Sequence, residues 1–257
     1  MSTASCLHDE APPSPSPLVR CWNETSHPLP VRPIRVPGKS RSHPPEVGAP
    51  PWMHSGIQGQ PFDFCESVRR LCRDMIYRCK DLDHIDVSRI LFATTQARSG
   101  RPFGLQARVT PLRFRNGHLT RHGGGRGNSY QVQRYFVGEQ EMLYVVTFCL
   151  PRFLDQDFDD KFITLFHELY HISPSFDGDL RRHEGRCAIH SRSKRGYDAH
   201  MAELAREYLA QGADPALHAF LRLNFAQLQH RHREVVGVVV PRPKLIPVPA
   251  RRKLPPR

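Results

Sequence analysis

Several features typical of extracellular and membrane proteins are missing from this 257-residue sequence. No apolar run approaches the roughly 18 residues that span a membrane, and no basic region followed by an apolar run opens the chain. The seven cysteines are an odd, sparse set with no paired CxxC spacing. These absences argue against a disulfide framework and a structural zinc ribbon. They predict a cytoplasmic protein without membrane contact.

Proline is scarce in the middle of the chain and abundant at both ends. Of the 24 prolines, twelve lie in residues 1–60 and six in 241–257. Both ends also lack periodic apolar residues, so they cannot bury enough surface to offset the entropy lost on ordering. We therefore predict a disordered Pro-rich segment over 1–60 that is dispensable for folding, a folded domain over 61–240, and a disordered basic Pro-rich tail over 241–257.

Hydrophobic periodicity predicts the elements of the folded domain. Helices are expected over 62–80, from near 157 to near 173, over 197–211 and over 215–231. Strands are expected over 87–95, 104–114, 130–137, 142–150 and 235–240. The first two strands are predicted to form a hairpin, and the nearly all-apolar strand over 142–150 should be central. This order of elements is an α+β plan.

The motif that points to chemistry is His167-Glu168-Leu169-Tyr170-His171, an HExxH match inside the second predicted helix. Histidines at i and i+4 lie one above the other on a helix face, so both can bind one Zn²⁺. Glu168 projects beside the metal, where a carboxylate can take a proton from metal-bound water. A chance match is the alternative, because the chain contains 15 histidines.

A catalytic zinc usually has three protein ligands and one open position, so a third ligand must lie elsewhere in the chain. We favour His183, because Asp177 and Gly178 form a turn signal that would bring the chain back across the helix end. The alternatives that remain open are Asp177, which Pro174 disfavours, and four further residues: Glu184, His190, His200 and Glu203.

The run HELYHISPSFDGDLRRHEGR, residues 167–186, resembles a family of metallopeptidases found in phages, bacteria and archaea. In that family HELxHI, a short Pro-containing loop, a turn and an (R)xH element follow in this order. The resemblance implies a zincin-like fold, with a small, mostly antiparallel sheet packed against the HExxH helix. It also implies zinc at His167, His171 and His183, with Glu168 as the base.

Two functions of different classes follow from these patterns. The first is a zinc-dependent metallopeptidase that hydrolyses peptide bonds in a peptide or protein substrate. The second is a nucleic-acid-associated zinc protein. It is suggested by the net charge of +12 and by two basic clusters, one over 181–195 and one in the tail. Such clusters attract nucleic acid without reading its sequence.

Overall fold

The computed structural model describes residues 16–23, 29–35, 37, 59–101, 103–123, 128–182 and 194–248. The described residues form five α-helices: α1 Phe64–Arg78, α2 Phe158–Tyr170, α3 Lys194–Ala210, α4 Pro215–His218 and α5 Phe225–His232. They also form twelve strands: β1 Val19–Trp22, β2 Val31–Pro33, β3 Phe62–Asp63, β4 Ile90–Gln96, β5 Ala107–Pro111, β6 Thr120–His122, β7 Ser129–Val132, β8 Arg134–Val137, β9 Gln140–Met142, β10 Tyr144–Leu150, β11 Val235–Val238 and β12 Leu245–Val248. The predicted α+β class is confirmed.

The sheet nearest the HExxH helix has the order β4-β10-β5, so β10 is its central strand, as predicted. Val146 in β10 pairs with Phe92 of the parallel strand β4 and with Val109 of the antiparallel strand β5. The predicted hairpin of the first two strands is therefore wrong, because β10 lies between them. The sheet is mixed rather than mostly antiparallel, and it is one of four three-stranded sheets in the described parts of the chain.

Strands also form in both Pro-rich ends, where disorder was predicted. β1 pairs with β8, β2 pairs with β11, and β12 pairs with β7. Ile34, next to β2, is only 2% exposed and belongs to the main core. The prediction that residues 1–60 and 241–257 are disordered is wrong for these three strands. Pro33 is compatible with β2 because β2 is an edge strand, where a missing N–H is tolerated.

Two further predicted elements are interrupted. The strand expected over 130–137 divides at Gln133 into β7 and β8, which belong to different sheets. The helix expected over 215–231 divides into α4, a 3₁₀ turn over 219–222 and α5. Asn224 accepts a hydrogen bond from the backbone N–H of Gln227, and the Gln227 side chain accepts one from Asn224. This capping box starts a new helix where the apolar pattern alone looks continuous.

Helix α1 packs one apolar face on the β4-β10-β5 sheet, as its periodicity predicts. Asp63 caps its first turn by accepting a hydrogen bond from the Glu66 N–H. Cys65 and Cys72 are buried on this face, and the Phe64 ring lies 5.4 Å from the Phe148 ring of β10. Both cysteines are therefore part of the core.

Helix α2 begins at Phe158, with Asp157 as its N-cap, and ends at Tyr170, three residues before the predicted end. Its first turns are anchored by Lys161, whose buried Nζ donates to the carbonyls of Leu221 and Leu223 at 2.8 and 3.0 Å. Burial lowers the pKa of Lys161 to about 8. In the described part of the chain, every helix is too short or too polar to span a membrane.

The packing of β2 and of the residue that follows it can be tested with two substitutions three positions apart. Ile34→Ala removes a buried side chain and should lower the free energy of unfolding by about 2–4 kcal/mol. Val31→Ala is the matched control, because Val31 is 47% exposed, and it should change stability by less than about 0.5 kcal/mol. Denaturant unfolding measures both values. Equal, small changes would mean that this segment does not pack on the core.

Candidate metal centre

The two motif histidines lie one helical turn apart at the end of α2. His167 is in the last turn, and His171 is the C-cap residue with φ −70° and ψ −15°, so helical spacing is maintained beyond Tyr170. The Nε2 atoms of His167 and His171 are 2.9 Å apart. Both rings therefore present the same nitrogen to one point beside the helix.

This geometry fits a shared metal ion. A tetrahedral zinc with Zn–N bonds of about 2.0–2.1 Å separates its ligand nitrogens by about 3.3–3.4 Å. The observed separation of 2.9 Å would have to increase by roughly half an ångström, and a small rotation of either ring is enough for this. Without a metal, the two nitrogens can share a hydrogen bond when one of them carries a proton. The donor pair is thus preformed for metal binding.

Glu168 projects from α2 toward the edge strand β5. The residue is only 7% exposed, and its Oε2 accepts a hydrogen bond of 2.6 Å from the Val109 N–H. Burial raises the pKa of Glu168 to about 7, although the Val109 N–H and the positive charge of Arg108 oppose the shift. A carboxyl group of this kind can both accept and release a proton near neutral pH.

Beyond α2 the chain turns and returns along the helix end. Ile172 pairs with Leu180 in an antiparallel bridge, and the Arg181 N–H donates to the His171 carbonyl at 2.7 Å. The turn passes through Gly178, whose φ of +88° favours glycine. The predicted turn at Asp177-Gly178 is confirmed. We call residues 172–182 the return segment.

Tyr144 and Asp179 hold the return segment against the sheet. The Tyr144 hydroxyl donates to the Asp179 carbonyl at 2.8 Å and accepts from the Gly178 N–H at 2.9 Å. The Asp179 carboxylate accepts from the Asn116 N–H and from the Arg182 guanidinium. Burial raises the pKa of the Tyr144 phenol, so it remains a protonated donor at neutral pH.

Comparisons of the chain with known protein families, with curated proteins and with solved structures found no match. The resemblance carried by residues 167–186 therefore stays a prediction.

No third candidate ligand joins the two histidines within the described residues. These residues contain no group of three or more His, Cys, Asp or Glu side chains placed to hold a metal. Asp177 uses its Oδ1 to accept the Asp179 N–H at 3.1 Å, and Glu203 lines a separate cleft with Cys79. The alternatives Asp177 and Glu203 are thus not supported. His183 and His190 lie outside the described residues.

Two neighbours of the histidines lie on α3. Tyr197, 4% exposed, stacks on His171 with 5.7 Å between ring centroids and meets His167 edge-on at 4.9 Å. Asp198 Oδ1 is 3.8 Å from His167 Nδ1. Neither residue belongs to the HExxH motif. The only sequence signal for Asp198 is its place beside Tyr197 on a predicted helix.

The described cations near the site have structural partners. The Arg181 guanidinium lies 4.0 Å from the centre of the Tyr170 ring, and its Nε donates to the Tyr170 carbonyl. Arg182 is paired with Asp179. The other side chains of the 181–195 cluster, and the last nine residues of the tail, lie outside the described residues. Binding of nucleic acid stays a prediction.

The contact between sheet and return segment can be tested at Tyr144. Tyr144→Phe leaves the buried Gly178 N–H and Asp179 carbonyl without their shared partner, so the free energy of unfolding should fall by about 1–3 kcal/mol. The control is Tyr77→Phe on α1, because Tyr77 is 87% exposed. Denaturant titrations of both variants should separate them clearly. A Tyr144→Phe protein as stable as the control would show that this contact does not hold the segment.

Proposed function

We propose that this protein is a zinc-dependent metallopeptidase with a zincin-like arrangement of helix and edge strand. The observation that carries the proposal is the convergence of His167 Nε2 and His171 Nε2 at 2.9 Å. The neighbouring Glu168 carboxylate contacts the backbone of a strand edge. A chance HExxH match on a helix would also place the two histidines close together, but it gives no reason for the acid between them to be buried against a strand edge.

Each residue of the motif has a distinct role in this proposal. His167, His171 and His183 would hold zinc, which lowers the pKa of a bound water to about 7 and polarises the scissile carbonyl. Glu168 accepts the proton of the attacking water and delivers it to the leaving amine. Its burial suits both steps, because a carboxyl group with a pKa near neutrality exchanges protons at little cost.

Strand β5 offers a surface for an extended peptide. It is an edge strand of its sheet. The backbone N–H and C=O groups of its even-numbered residues point toward β10, because the Cys149 N–H donates to the Gln106 carbonyl and the Leu112 N–H donates to the Leu143 carbonyl. The backbone N–H of the buried Val109 therefore points away from β10, toward Glu168. Glu168 already occupies the Val109 N–H. A peptide that pairs with this edge would therefore have to use the other outward backbone groups of β5, and it would bring its backbone beside the base. This supports a peptide or protein as the substrate.

Metal content and hydrolysis together test the proposal. Wild-type protein should contain about one zinc per chain and cleave an unfolded protein in a chelator-sensitive way. His167→Ala should lose the metal, because one of two converging ligands is removed. Glu168→Gln should retain it and lose hydrolysis, since the amide oxygen can still accept the Val109 N–H but cannot act as a base.

Elemental analysis and a peptide-release assay measure the two properties. Glu203→Gln on α3 is the control, because this acid lines a separate cleft, and it should retain both zinc and activity. If Glu168→Gln and His167→Ala lost zinc equally, Glu168 would be a metal ligand, and its proposed role as the base would be wrong. A wild-type protein without zinc after loading would refute the proposed function.

A further inference from the structure

We propose that Asp198 is a positioning residue that fixes the ring of His167, with the proton on Nδ1 and the lone pair of Nε2 directed at the metal. This inference rests on the proposed function and identifies a residue outside the HExxH motif on which the affinity of the site depends.

The two nitrogens of His167 face different partners. Nε2 lies 2.9 Å from His171 Nε2, and Nδ1, on the other side of the ring, lies 3.8 Å from Asp198 Oδ1. An imidazole can present a lone pair to a metal through one nitrogen while donating a hydrogen bond through the other. The ring orientation observed here assigns Nε2 to the metal and Nδ1 to the carboxylate.

The carboxylate favours the required tautomer through its charge. A negative group beside Nδ1 stabilises a proton on that nitrogen, so the lone pair remains on Nε2. The distance of 3.8 Å exceeds that of a hydrogen bond. The Asp198 side chain is 41% exposed, so it can rotate to close the gap of about 1 Å that separates it from hydrogen-bonding distance.

Packing of α3 against α2 explains why Asp198 occupies this position. Tyr197, its neighbour in the chain, contacts both histidine rings and is buried, which holds this turn of α3 against the site. Other polar groups on α3 face elsewhere: His200 Nε2 lies 3.7 Å from Asp81 Oδ2, and Glu203 lines the separate cleft. Asp198 is thus the acid of α3 placed to act through His167.

Zinc affinity, measured by competition with a chelating indicator, provides the first test. Asp198→Ala should weaken zinc binding by about 10–100-fold, the usual effect of removing a partner of a ligating histidine. Asp198→Glu retains a carboxylate on a longer side chain and should recover most of the affinity. Glu203→Gln is the matched control on the same helix and should bind zinc as the wild type does. An Asp198→Ala affinity within about twofold of the wild-type value would overturn the proposal.

The tautomer of His167 provides a second test that needs neither zinc nor activity. Long-range ¹H–¹⁵N NMR of the zinc-free protein, with imidazoles neutral, should show the proton of His167 on Nδ1 in the wild type. In Asp198→Ala the population with the proton on Nε2 should increase. Identical tautomers in the two proteins would overturn the role of Asp198. Failure of the wild type to bind zinc would instead refute the proposed function, and the tautomer would still decide the role of Asp198.

Discussion

The hydrogen bonds that join the end of α2 to the return segment are the constraint on which the proposed metal centre depends. The last carbonyl groups of a helix have no partner within it. The Arg181 N–H and guanidinium satisfy the carbonyls of His171 and Tyr170. They end the helix with His171 still in helical geometry, so the spacing between the two histidines is retained. The same bonds hold Arg181 beside the second histidine.

The second constraint is the burial of Glu168. A carboxylate removed from water is stable only if its oxygens have donors, and the edge of β5 supplies the Val109 N–H. This contact connects α2 directly to the sheet. One hydrogen bond therefore orients the proposed base and positions the strand edge that would bind the substrate backbone.

The sequence predicted the features that depend on local patterns. The periodicity of α1, the start of α2 near residue 157, the central position of β10 and the turn at Asp177-Gly178 are all encoded within short windows. The sequence did not predict features that depend on distant partners. The pairing of β4 with β10 rather than β5 spans about fifty residues, and β2 forms because Ile34 finds space in a core built by other elements. Composition alone could not indicate this.

Asp198 illustrates the same limit at the site. Its place beside His167 results from the packing of α3 on α2. The two residues are 31 positions apart in the chain, but Asp198 Oδ1 lies 3.8 Å from His167 Nδ1. The motif shows which residues can bind a metal. Only the fold points to the residue that we propose orients His167.

X-ray absorption at the zinc edge is the most direct measurement of the central claim, because it counts the imidazoles bound to the metal. The zinc-loaded wild type should show three imidazole nitrogens at about 2.0–2.1 Å and one further light atom. His183→Ala should show two imidazoles. A wild-type spectrum with fewer than two imidazoles, or one dominated by sulfur ligands, would contradict a zinc site built on His167 and His171.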